Sequence, residues 1–216
     1  MDTSRADFGL SEDAFVFCCF NNTYKISPRE FDIWMRLLQK VDGSILWLLH
    51  ANKWAAENLR EEALKRGVDP SRLVFADRRP IAEHLARHRH ADLFIDTFNV
   101  NAHTTASDAL WAGLPVVTKQ GKQFAARVAA SLLTALGLPE LITQTEDDYE
   151  ALILALASQP EKLKAVRAKL LENRLKAPLF DTRRYTRNFE RGLELAYGHF
   201  LRGDAACDIR VPDAMQ

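Results

Sequence analysis

Glycine, cysteine and a surplus of charge of either sign are scarce in this 216-residue sequence. The three cysteines do not make a disulfide framework. Cys18 and Cys19 are adjacent inside an apolar run and read as buried free thiols, while Cys207 stands alone. This is the pattern of a reducing compartment. Among the nine glycines no two are two residues apart. Neither G-x-G-x-x-G nor G-x-x-x-x-G-K-[ST] therefore occurs, which excludes a nicotinamide Rossmann site and a P-loop. Lys and Arg number 29 against 29 Asp and Glu. Without a phosphate-neutralising excess the chain is not a general nucleic-acid binder, and it has no acidic tail. No stretch approaches the roughly 20 apolar residues of a membrane span, and the polar N-terminus is no signal peptide. No membrane partner is expected, and the expected location is cytoplasmic.

Apolar residues make up 47% of the chain, enough for a sizeable core. Short continuous apolar runs at 14–20, 45–49, 72–76, 91–96 and 115–118 read as strands buried on both faces. Between them lie amphipathic stretches with helix signals. Ser27-Pro28 with Glu30 is a capping box with Pro at the first helical position. Asn52 caps a second helix, closed by Gly67. Residues 80–88 and 104–112 read as shorter helices, the latter stopped by Gly113. After Gln120 the pattern reads as helix only, over 124–136, 146–158, 160–176 and 183–201. Trp34, Trp47 and Trp111 read as core. Repeated βαβ units predict an α/β fold, a doubly wound parallel sheet with helices on both faces and a helical C-terminal third. The expected organisation is a leader over 1–12, one domain over 13–202 and a tail over 203–216.

In such sheets ligands bind beyond the C-terminal ends of the strands, which directs attention to loops 20–27, 49–52, 76–84 and 96–104. The last runs from Asp96 through His103, Thr104 and Thr105 into a helix carrying Asp108. The first amides of a helix are unpaired donors at a positive dipole end, and the threonines add hydroxyls. Together they form a glycine-free anion site suited to a pyrophosphate. Asp108 lies on the same face as Thr104 and is suited to accept from sugar hydroxyls. Ordinary capping by Thr104 or Asn101 is the competing explanation. Lys25, just after the first strand, is placed to neutralise a diphosphate; the alternative is a solvated surface lysine. His84 and Arg87, three apart, suit stacking on or hydrogen bonding to a base, against the alternative of a solvated basic helix. His84 and His88 have a zinc-compatible spacing without an obvious further ligand. No two aspartates are separated by one residue, so the D-x-D arrangement that often holds a metal on a nucleotide sugar is absent, and no metal site is expected.

These segments occur in an order that resembles a known family. They are Phe20-Asn-Asn-Thr-Tyr-Lys25, Glu83-His84-Leu-Ala-Arg87, Ala91 to Thr97, His103-Thr104-Thr105 to Asp108, Leu110 to Thr118, Arg127 to Ser131 and Pro178-Leu-Phe180. Over roughly 14–202 the chain resembles the C-terminal catalytic lobe of protein O-linked N-acetylglucosamine transferases, including bacterial SPINDLY-type relatives. The resemblance implies a two-lobed GT-B fold and an inverting, metal-independent transfer from a UDP-sugar to Ser/Thr of an acceptor protein, with no cofactor beyond the donor. It implies that Lys25 stabilises the departing diphosphate and that Thr104 and Thr105 present hydroxyls and helix amides to the phosphates. Asp108 would hold the ribose, His84 and Arg87 the uracil side, and His103 the ribose and phosphate. The loop from Arg79 to Ile81 occupies the base-reading position. Asn22 stands where the animal enzymes carry a longer Gln, Ile81 replaces a Lys, and Arg79 replaces a small residue. Plant SPINDLY proteins use a GDP-fucose donor, which leaves the sugar open. The TPR repeats and N-terminal catalytic lobe, with the expected general base, are not encoded here. Two main readings follow, the donor-binding half of a transferase that needs that lobe as partner, and a non-catalytic nucleotide-sugar-binding module or remnant. A generic regulator domain is a third.

Overall fold

A computed structural model describes residues 3–212. Six strands form one parallel sheet in the order β3-β2-β1-β4-β5-β6. They are β1 (Val16–Cys19), β2 (Ile45–Leu49), β3 (Leu73–Ala76), β4 (Leu93–Ile95), β5 (Val116–Lys119) and β6 (Ile142–Thr143). The central strands are buried on both faces, as unbroken apolar runs require. Helices α1 (Pro28–Lys40), α2 (Lys53–Lys65), α3 (Ile81–Arg87), α4 (Thr104–Trp111) and α5 (Val128–Ala135) link successive strands. Then come α6 (Glu146–Ser158), α7 (Pro160–Asn173) and α8 (Thr182–Leu201). Helices α3, α4 and α5 adjoin in one layer, and α1, α6 and α7 in another.

The local signals act as read. Glu30 reaches back to accept from the Ser27 amide at 2.8 Å, and Asn52 accepts from the Ala55 amide at 2.8 Å. Cys18 and Cys19 are fully buried free thiols. Residues 3–12, read as a leader, pack on the body. Leu10 joins the core, Phe8 meets Trp47 at 5.3 Å, and Arg5 pairs with Asp92 at 2.9 Å.

Two expectations need correction. The region after Gln120 is not helix only, because β6 adds a sixth strand beside β5, Ile142 pairing with Thr118 and Thr143 with Lys119. Two residues are too few to show alternation, and tertiary pairing alone defines them. Trp34 and Trp47 are core, but Trp111 is 43% exposed. It ends α4, where its ring meets Phe180 edge-on at 5.1 Å and lies under the Arg174 guanidinium.

The strand order reverses direction between β1 and β4, so the loops after these two strands diverge and open a crevice. Those loops contain 20–27 and 96–103.

Candidate functional site

The crevice is organised from below by Asp96, which is fully buried at the end of β4. Its Oδ1 accepts from the amides of Thr97 and Ala102 at 2.8 and 2.7 Å and from Asn21 Nδ2 at 3.2 Å. Its Oδ2 accepts from the Thr118 hydroxyl at 2.7 Å. Burial pushes the Asp96 carboxyl up to about 6, against the pull of these hydrogen bonds. The Asp96 carbonyl accepts from the Tyr149 hydroxyl at 2.8 Å, which in turn accepts from the Trp34 indole at 3.2 Å. Loop 96–103 is therefore held at both ends and from α6.

This loop delivers the start of α4. No side chain caps its first turn. Asn101, one of the residues whose capping would have explained the segment, instead donates Nδ2 to the Thr97 carbonyl at 2.7 Å. The leading amides of α4 keep their donors and the positive end of the dipole for an anion. Thr104 is exposed, whereas the Thr105 hydroxyl donates inward to Asn21 Oδ1 at 2.5 Å. Lys25 is half-buried rather than solvated, and its Nζ donates to the Asn101 carbonyl at 3.0 Å. That bond uses one of three N–H groups and sets the ammonium beside the turn into α4. His103 contacts the Ala125 carbonyl through Nε2 at 3.2 Å. This links the turn to the segment after β5, where exposed Phe124 lies 6.3 Å from the imidazole ring.

On the other flank, α3 faces α4. His84 Nδ1 lies 2.6 Å from the Arg87 guanidinium. Guanidinium only donates, so Nδ1 accepts and the imidazole carries its proton on Nε2. Burial and the nearby Arg87 charge lower the His84 pKa to about 4, which matches a neutral ring. Nε2 lies 3.8 Å from Asp108 Oδ2, and burial raises the Asp108 carboxyl. The residues assigned from sequence to a base and a ribose thus share one wall. Arg87 is 2% exposed, donates to the Asp77 carbonyl at 2.6 Å and lies over the Phe20 ring at 4.3 Å. It supports His84 from beneath. The solvated-helix alternative fails, since Arg87, His88 and His90 are buried.

The remaining predicted residues lie at the rim. Asn22 Oδ1 faces Arg78 at 3.4 Å, Arg79 is exposed and 3.6 Å from Glu83, and Ile81 is exposed. The spacing of His84 and His88 serves packing, with rings 4.8 Å apart and His88 Nδ1 bonded to the His84 carbonyl. Among the described residues no three His, Cys, Asp or Glu side chains gather as a metal site. Sequence reasoning gave no role to Asn21, Asp96, Thr97, Thr118 and Tyr149. The available signal was a polar pair closing each apolar run, Asn21-Asn22 after β1 and Asp96-Thr97 after β4.

A 3-2-1-4-5-6 sheet with an uncapped helix start at its switch point has the architecture of one lobe of a GT-B glycosyltransferase. Solved structures agree. At fold level the chain matches Anabaena HepE in complex with UDP and glucose, with TM-score 0.60 at 17% identity over 89% of this chain and 51% of that one. A mutant O-GlcNAc transferase from Thermobaculum terrenum matches with TM-score 0.80 and 30% identity, over 88% of this chain and 36% of that one. The chain belongs to glycosyl transferase family 41, whose model matches residues 1–189. The UDP-N-acetylglucosamine--peptide N-acetylglucosaminyltransferase of Caenorhabditis elegans is 42% identical over 188 residues, 87% of this chain and 16% of that protein. A barley protein described as a probable transferase of the same kind, SPINDLY, is 31% identical over 91% of this chain and 21% of its own length. The chain spans about a fifth or less of the length of these last two relatives.

Proposed function

We propose that this chain is the donor-binding half of a protein O-glycosyltransferase, moving a sugar, N-acetylglucosamine on the present reading, from a UDP donor to Ser/Thr hydroxyls. The observation that carries it is the uncapped start of α4, flanked by Lys25 and walled by the His84–Asp108 pair, at the switch point of a family 41 lobe. The α4 amides and Thr104 receive the pyrophosphate. Lys25 offsets the charge that develops on the departing diphosphate, a role that needs no metal. Asp108 accepts from the ribose hydroxyls. His84, neutral and held by Arg87, offers its Nε2 proton on the same wall. Inversion, the acceptor peptide and the general base belong in this reading to the N-terminal lobe and TPR region of a complete enzyme, in another chain or another part of the same protein. A single lobe supplies one wall of a cleft, so positioning for transfer requires the second.

Calorimetric titration with UDP tests the donor site. Binding is expected, and Lys25→Ala and Asp108→Ala should each weaken it at least about tenfold, the scale of a charge-assisted contact. Unchanged affinity in both variants overturns the site. The alternative of a non-catalytic binding module keeps the UDP affinity but gives no turnover of labelled donor when a separately made N-terminal lobe is added. Turnover in that mixture supports the transferase.

A further inference from the structure

Asn21 is 1% exposed, lies at the start of the loop that carries Lys25 and faces the helix that carries the anion-binding amides. Its proton inventory is fully determined by its neighbours. Asp96 Oδ1 already accepts two backbone N–H groups and carries no proton, so the Asn21 atom facing it is the NH₂. The Thr97 hydroxyl gives its proton to the Val100 carbonyl at 2.7 Å and therefore accepts the second Asn21 N–H at 2.8 Å. That fixes Oδ1 toward Thr105, and Oδ1 only accepts. The single proton of the Thr105 hydroxyl is thus committed inward. An ionised phosphate needs donors. Thr105 can offer it one only by leaving a buried carbonyl oxygen unpaired, which is costly.

We propose that Asn21 and Asp96 are positioning residues, and that Thr105 acts through them as a latch joining the β1 loop to α4 rather than as a hydroxyl donor to phosphate. The inference rests on the donor-site reading above and deepens it. The phosphate is left to the amides of α4, Thr104 and Lys25, while the latch sets the distance between the Lys25 loop and those amides.

A double-mutant cycle on UDP affinity tests this, using the 216-residue chain as wild type, Asn21→Ala, Thr105→Val and the double variant. The latch predicts that each single change weakens UDP about tenfold and that the double change weakens it by about the same tenfold, because the same Thr105–Asn21 hydrogen bond is lost in all three. Thr105→Ser, which keeps the hydroxyl, should stay within about twofold of wild type. Uridine, which carries no phosphate, should bind every variant within about twofold of wild type. Additive losses near a hundredfold overturn the latch and return Thr105 to the phosphate. Equal losses for uridine and UDP also overturn it, since they mark general damage to the fold. If Asn21→Ala is unfolded by circular dichroism, Asn21→Ser takes its place in the cycle. Failure of the unaltered chain to bind UDP overturns the donor-site reading itself, whereas binding with additive losses overturns the latch alone.

Discussion

At the residue scale the governing quantity is what burial does to charge. Asp96 has no solvent exposure and its carboxyl is raised from 3.8 to about 6. The folded protein therefore holds that proton more tightly than the unfolded chain. The stabilisation is fully present below about pH 3.8 and is lost as the pH rises through about 6, about 3 kcal/mol in all. Urea unfolding of wild type and Asp96→Asn in parallel, from about pH 4 to 7, isolates this group. Wild type should lose ground to the variant by about that amount across the interval. A pH-independent difference contradicts the assignment. His84 runs the other way. Its pKa is lowered to about 4, so its contribution is present above the unfolded value near 6.5 and lost as the pH falls through about 4. Comparison with the Asn variant cancels that opposing slope.

At the element scale the site depends on how α4 begins and ends. It begins with free amides and ends at Gly113, whose φ of +87° suits glycine and whose missing Cβ would lie 3.1 Å from Leu171 Cδ2. Gly113→Ala should cost about 1–2 kcal/mol through backbone strain and displacement of Leu171 on α7, read as a lower urea midpoint. Unchanged stability would show that the turn relaxes freely. Most elements were legible in the sequence because their signals are local, as with Ser27-Pro28, Asn52 and the apolar runs. The strand β6 was not, because pairing with β5 creates it. Trp111 was misplaced because helical spacing does not say how far a helix end projects from the body. In the site, Lys25, His84, Thr104 and Asp108 were legible as polar residues in the loops that follow strands or in the helices those loops open. Asn21 and Asp96 were not, because a polar side chain next to a strand looks the same whether it faces the crevice or lies beneath it.

At the scale of the whole molecule, one lobe presents surface that its own core does not cover. Helix α8 has no buried residue, and Tyr185, Phe189, Leu193, Tyr197 and Phe200 are all more than half exposed. Leu195 is half-buried. A contiguous apolar stripe of this kind drives association. The chain made alone should sediment with concentration-dependent mass, and Phe189→Ser with Leu193→Ser should reduce that dependence. A monodisperse monomer at high concentration would contradict the expectation.

The sequence by itself determined the class of fold and the chemistry available at the strand ends. Apolar periodicity and capping are set by neighbours a few residues apart, and the absence of glycine-rich turns narrowed the candidate anion site to a helix start. Tertiary structure alone decided which polar groups face outward and which are spent inside. Whether the Thr105 proton is free depends on Asn21, whose orientation depends on Asp96, 75 residues away along the chain. Hydrogen-bond direction is a property of the closed network, and no local pattern in the chain encodes it.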